Sequence, residues 1–272
     1  IIFFISIIFF LKNNFFSLDV YYQESNKKNS NQKVVENIHI KPFSMKYLEE
    51  SENDKPFTLV SEKEININQG EIAILLGPSG SGKSTFMKLI TERIRVEKSV
   101  EIPSTSRFLY YDEKLRFGSL SIFEELFAGE LNPDLIKMQD ILENLHLWAE
   151  ISSNCFNVWQ WMKEKKFNNS LSNGQKQRLI LAKMLYFLNL DIDVLVLDEC
   201  TSGLDDISET DSADADRILE YIIRYSNKDK NRIVILATHQ NIDRLKSRLG
   251  KEYCIKNFLF VQKEDFNTIY QI

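Results

Sequence analysis

The sequence offers little that would fix a fold covalently or bind a broad polyanion. Its three cysteines, Cys155, Cys200 and Cys254, lie far apart with no metal-ligand spacing, which excludes a disulfide scaffold and reads as reduced thiols in a reducing compartment. There is no excess of basic charge. The 34 Lys and Arg against 39 Asp and Glu leave a net charge of −5, which argues against a nucleic-acid partner, although a local basic stripe fits within that balance. No internal repeat is present, and there is no long hydrophobic run. Ile1 to Leu11 is apolar except for Ser6, with Phe15 and Phe16 close behind, yet a helix of that length spans only ~16 Å against the ~30 Å of a bilayer core. No basic stretch precedes it, as a signal peptide requires. Since the chain opens on Ile rather than Met, residues 1–16 read as the end of a transmembrane helix from a longer chain, with a docking strand or buried helix as alternatives. Residues 17–33, rich in Asn, Lys, Ser and Gln, read as a solvated linker, and folded sequence resumes near Val34. The 272 residues, 43% hydrophobic and 27% charged, leave room for one large core or two modest ones.

What is present is a phosphate-binding pattern. Gly77-Pro78-Ser79-Gly80-Ser81-Gly82-Lys83-Ser84-Thr85 matches the P-loop in full. The apolar run Glu71–Leu76 before it reads as a buried parallel strand, and Thr85–Ile90 continues as a helix. Strand, glycine loop and helix N-terminus in that order place backbone N–H groups and the helix dipole around an anion. Lys83 is expected to reach the β- and γ-phosphates, and the Ser84 hydroxyl to bind Mg²⁺. A second apolar run, Asp193–Leu197, ends in Asp198 and Glu199. Acids at the carboxyl end of such a strand face the ligand crevice; Asp198 would hold the metal, and Glu199 would polarise an attacking water.

Between these lies Leu171-Ser172-Asn173-Gly174-Gln175, leading into an apolar helix. This segment resembles the Leu-Ser-Gly-Gly-Gln signature of the ATP-binding cassette (ABC) family. With the P-loop before it and the Asp-Glu strand after it, the stretch from about Val34 to Phe260 resembles an ABC nucleotide-binding domain. Ser202-Gly203-Leu204-Asp205 looks like the D-loop, and Ile233–Thr238 like a strand ending at the switch histidine, His239. Tyr47 is the candidate aromatic for stacking on adenine, with Phe43 as its competitor and Glu49–Lys55 as an insertion.

The resemblance implies an α/β fold: a P-loop NTPase with a mostly parallel sheet, an antiparallel β portion and a helical signature subdomain at about 120–180, all within 34–272. Leu126, Phe127, Leu131, Leu135, Leu142, Leu145 and Trp148 give that subdomain its helical apolar pattern; Trp159 and Trp161 read as its core, and Tyr253–Val261 as a closing strand or strand pair. The resemblance further implies ATP and Mg²⁺ as ligands, a second nucleotide-binding domain as partner, and a transmembrane domain, placed by residues 1–16 at the N-terminus as in exporters. In such a dimer, Ser172 and the Gly174 N–H of one domain, with Gln175, close on the γ-phosphate held by the other. The site would lie at the cytoplasmic face of a membrane.

The pattern also breaks. Asn173 stands where glycine is usual; Asn tolerates a positive φ. Cys200 replaces the usual proline. The Q-loop glutamine should fall at Asp112, and no glutamine occurs between Glu71 and Met138. Either Asp112 takes that place, as a further metal ligand, or the loop is shortened. Asp205–Asp216 is an acidic stretch longer than the usual connection, its later part reading as the solvated start of a helix through Ile218, Leu219, Ile222 and Ile223, with a contact to a basic surface as the alternative. Asp112 and Asn173 motivate an alternative, a degenerate regulatory nucleotide-binding module. A soluble ABC ATPase acting on DNA or ribosomes is a third, though the coiled coils or tandem cassettes usual there are missing.

Overall fold

A computed structural model describes residues 20–22, 37–47, 57–91, 100–101, 107–112, 120–188, 192–200, 212–228, 232–238, 247, 254–263 and 266–271. Strands β1 (Val20–Tyr22), β2 (Asn37–Ile40), β3 (Phe43–Tyr47), β4 (Phe57–Ser61), β5 (Ile65–Asn68) and β6 (Glu71–Leu76) precede helix α1 (Lys83–Ile90). After β7 (Val100–Glu101) and β8 (Arg107–Asp112) come α2 (Ile122–Phe127), α3 (Leu135–Asn144), α4 (Trp148–Ser152), α5 (Val158–Glu164), α6 (Phe167–Ser170) and α7 (Asn173–Phe187). The remainder is β9 (Val194–Asp198), α8 (Ser212–Ser226), β10 (Ile233–Ala237), β11 (Cys254–Lys263) and β12 (Phe266–Gln271). These elements fall into two compact units. One takes 20–110, 190–199 and 226–272, and the other takes 1–19, 111–189 and 200–225.

In the first unit a nine-stranded sheet runs β1-β8-β9-β10-β6-β11-β12-β4-β3, beside a three-stranded antiparallel sheet β5-β2-β7. The centre is parallel: β10 lies between β9 and β6, and β11 pairs with the other edge of β6. This is the mixed α/β architecture expected from the sequence. Every residue of β9 and β10 is buried, which is why these strands read as unbroken apolar runs: a parallel strand covered on both faces has no polar side to alternate with. One face, through Ala73, Leu75, Val194, Val196, Ile233 and Ile235, shares a core with Phe86, Met87, Leu89 and Ile90 of α1. Each such side chain contributes about 1.5–3 kcal/mol on burial, so the helix bearing the P-loop is anchored along its length. Phe43 is buried in that core too, and offers no open ring face to a ligand. Tyr47 ends β3; its side chain lies outside the described residues. β11, in the stretch expected to give a closing strand or strand pair, lies between β6 and β12 and forms an antiparallel pair with β12.

The second unit is helical between Ile122 and Phe187. Ser121 and Glu124 form a capping box at α2, Asp134 caps α3, and Asn157 caps α5, each satisfying N–H groups that a helix start leaves open. Leu126, Phe127, Leu142 and Leu145 are buried as their spacing predicts, whereas Leu131 is 94% exposed. The reason is local. Ala128 and Gly129 adopt left-handed backbone (φ 49° and 78°) and end α2, so Leu131 falls in the loop before the Asp134 cap, on no helix. Trp159 packs against Phe123, Phe127 and Trp148 with ring centroids 6.3, 6.1 and 5.2 Å away, but Trp159 and Trp161 are both only half-buried, so neither lies in the fully buried core that the sequence suggested for them.

Candidate functional site

β6 delivers the chain into the loop Gly77–Gly82, and α1 starts at Lys83. Its N-cap is Gly82, at φ 101° and with no side chain to cap the first turn. Gly80, at φ 77°, also needs a conformation costly for residues with a Cβ. The first-turn N–H groups of α1 therefore point into the loop without a side-chain acceptor, the arrangement that holds an anion. The loop is tied by Ser81 N–H donating to the Pro78 carbonyl at 3.2 Å and Phe86 N–H to the Gly82 carbonyl at 2.8 Å. The Ser81 hydroxyl is buried with no hydrogen-bond partner among the described residues. Such an orphan is costly unless a ligand satisfies it. Pro78, Ser79 and Ser84 are exposed, while Thr85 is buried.

Lys83 is 4% exposed. Its Nζ donates to the carbonyls of Gly77 at 2.7 Å and Pro78 at 3.1 Å, and lies 3.7 Å from Glu199 Oε1. Burial pushes its pKa below the ordinary lysine value, and the charges of Glu199 and Asp198 act against that shift. The ammonium thus curls onto its own loop beside the acid at the end of β9. Asp198 is 6% exposed and accepts a hydrogen bond from the Tyr110 hydroxyl at 3.2 Å. Glu199 has φ 50°, a left-handed conformation that costs a non-glycine residue energy and tends to cluster at working sites. Its N–H donates to the Ala237 carbonyl at 3.2 Å, which holds it there.

Two residues that motif reading did not single out join this site. Tyr110, on β8, steadies the Asp198 carboxylate. Asn267, on β12 and buried, donates from Nδ2 to the Gly80 carbonyl at 3.3 Å. Neither follows from a local pattern, since each acts across the sheet.

The donor set suits Mg²⁺. A serine hydroxyl and a carboxylate are hard oxygen ligands, and this ion is typically held by one or two carboxylates with phosphates and waters. Among the described residues no cluster of three His, Cys, Asp or Glu is poised for a metal. Asp112 is the last residue of β8; its side chain, like His239 and Ser202–Asp205, lies outside the described residues.

In the helical unit, Ser172 is the N-cap of α7. Its Oγ accepts from Gln175 N–H at 3.2 Å, and Gln175 Oε1 accepts from Ser172 N–H at 3.0 Å. Asn173 occupies the first helical position and is not among the positive-φ residues. The substitution thus needs no left-handed tolerance, because the capping box already sets a helical backbone there. Gly174 follows within the same turn.

The sequence model of the ABC transporter family matches residues 60–202. The Phosphate import ATP-binding protein PstB of Aeropyrum pernix is 30% identical over 190 residues, covering 62% of this chain and 70% of its own length. ABC transporter I family member 1 of Arabidopsis thaliana is 30% identical over 183 residues, 66% of this chain and 74% of its own. Among solved structures, a metal-chelate type ABC transporter in an inward-facing conformation aligns with a TM-score of 0.55 at 18% identity, over 87% of this chain and 83% of that one. The archaeal ribosome recycling factor aABCE1 aligns with a TM-score of 0.57 at 16% identity, over 91% of this chain but only 41% of its own length. At these identities the structural likeness establishes the fold.

Proposed function

This chain belongs to the ABC transporter family, and we propose that it couples ATP binding and hydrolysis to solute movement by closing on a second nucleotide-binding domain. It is an ATPase of that family. The observation that carries the reading is the convergence of Lys83, Asp198 and Glu199 at the open first turn of α1.

ATP would enter with its phosphates against the loop Gly77–Thr85, drawing Lys83 Nζ from the Gly77 and Pro78 carbonyls to the β- and γ-phosphates. Mg²⁺, held by Ser84 and Asp198 with Asp112 as a further oxygen donor, would neutralise charge developing on the phosphates. Glu199 accepts a proton from the attacking water, and His239 serves as the switch histidine. Tyr47 stacks on the adenine. Ser172, Gly174 and Gln175 of the second domain complete the site from the other side. Binding therefore favours the closed pair and hydrolysis releases it, a population shift that can move an attached transmembrane partner.

That partner would place the chain at the cytoplasmic face of a membrane. Among the described residues no helix is long and apolar enough to cross a bilayer. Fusion to a preceding membrane domain, and with it export, rests on residues 1–16, which lie outside the described residues. The relative from Aeropyrum pernix is named for phosphate import, and import would use the same ATP site.

The test is Glu199→Gln against wild type, by gel filtration with and without Mg-ATP. The variant is expected to dimerise with ATP while the wild type, turning over, does not accumulate the dimer. A variant that stays monomeric at saturating ATP argues for the degenerate regulatory module.

A further inference from the structure

The signature turn is held from outside itself. Arg178, one turn into α7 and 4% exposed, donates from Nη1 and Nη2 to the two carboxylate oxygens of Glu150 at 2.7 and 2.9 Å. Arg178 Nη1 also approaches the carbonyls of His146 at 3.2 Å and Leu145 at 3.4 Å, tying α7 to the loop that leads into α4, where Glu150 sits. His146 is itself held at φ 56°. The same carboxylate accepts from Gln175 Nε2 at 3.0 Å. A charge-assisted fork of this kind is both strong and directional.

The consequence lies in the chemistry of an amide. A carboxylate only accepts, so it must face the amino end of Gln175. Gln175 Oε1 is thereby turned to the Ser172 N–H, closing the capping box. In that box Ser172 Oγ spends a lone pair on the Gln175 N–H, which leaves its hydroxyl proton for a donor role at an exposed position. Glu150 thus decides which way Gln175 points, and Gln175 decides what the Ser172 hydroxyl can do.

We infer that Glu150 is a positioning residue for the γ-phosphate contact, acting through Gln175 and Arg178 to present Ser172 as a hydrogen-bond donor to the partner's nucleotide. The inference rests on the reading of Ser172 as closing the ATP site of a second domain. Glu150 belongs to no motif, and the glutamate side chain is about a third exposed (35%), so replacing it leaves the hydrophobic core intact.

The experiment uses the full chain in the Glu199→Gln background and measures by light scattering the ATP concentration needed for dimerisation. Glu150→Gln replaces one of the two acceptor oxygens with an amino group, so the Arg178 fork and the Gln175 contact can no longer both be satisfied, and Gln175→Glu confronts two carboxylates. Each is expected to raise that concentration about tenfold, the equivalent of one charge-assisted hydrogen bond. The double variant restores an amide–carboxylate pair of reversed polarity and is expected to return to within about threefold of the parent. Fluorescent-ATP affinity of the Glu150→Gln monomer stays at the parent value, because the P-loop is untouched. Should Glu150→Gln fail to fold, Glu150→Asp withdraws the same charge by one methylene and takes the identical test. A parent that dimerises while Glu150→Gln dimerises equally well overturns the positioning role alone, as does a double variant whose losses add. A parent that stays monomeric overturns the composite-site reading and the positioning role together.

Discussion

Lys83 shows how one residue can be costly to bury and yet, on the proposed function, needed for binding. Its ammonium is buried, its pKa is pushed down by that burial, and its proton donors are occupied by the Gly77 and Pro78 carbonyls. Those carbonyls, with the Glu199 carboxylate 3.7 Å away, only partly offset the burial of the cation. In the proposed site a triphosphate would offer full negative charge at the same place, so binding would exchange a poor environment for a good one. Lys83→Ala removes the charge that makes the exchange favourable. It is expected to lower ATP affinity by at least about a hundredfold, as for loss of a desolvated charge pair, with little loss of thermal stability. Titration with fluorescent ATP and a melting curve check both halves; unchanged affinity would sink the phosphate-site assignment. Glu199 carries strain of another kind, in its backbone. The left-handed φ is held by the hydrogen bond to Ala237 on β10, so the acid's position is set by the sheet.

Within α7, Lys183 is fully buried and burial pushes its pKa down to about 8, against the pull of Glu125. The ordinary value is 10.5. Between about 8 and 10.5 the unfolded chain therefore holds the proton that the folded chain has lost, and stability rises with pH; below about 8 the full cost of burying the charge is present. That cost is roughly 3 kcal/mol. Removing only the lysine would strand a buried carboxylate, so the informative variant is Lys183→Met with Glu125→Gln. Its urea midpoint is expected to lack the part of the wild-type rise between pH 8 and 10 that Lys183 supplies; an identical slope in both proteins would refute that origin. The same helix shows what sequence can and cannot disclose. Its presence was legible from the apolar run after the signature resemblance, whereas the Ser172–Gln175 capping box that starts it was not read from the sequence; β6, β9 and β10 were legible because burial on both faces forces apolar runs. The P-loop was legible because its chemistry is local. Tyr110 and Asn267 were not, since they reach Asp198 and Gly80 across 88 and 187 residues through sheet order that no local pattern encodes. Leu131 misled for the opposite reason: its spacing suits a helix, but two left-handed residues before it end the helix first.

At the scale of the whole molecule, the P-loop and the signature belong to different units, and the proposed function requires each to meet its counterpart on a second chain. A two-fold pair of identical chains would then hold two ATP sites, each built from the P-loop of one copy and the signature of the other. This arrangement predicts complementation. Lys83→Ala leaves the signature intact, Ser172→Arg leaves the P-loop intact, and each variant alone should be inactive, because every site in its homodimer carries a lesion. In a mixed pair both lesions fall in one site, and the other site is whole. Random pairing makes half of the dimers mixed, each with one working site of two, so an equimolar mixture is expected to recover about a quarter of the wild-type turnover. Steady-state phosphate release, measured for each variant and for the mixture, decides the matter. Recovery requires sites shared between copies of this chain, since two variants that each carried a complete site would simply average their separate rates.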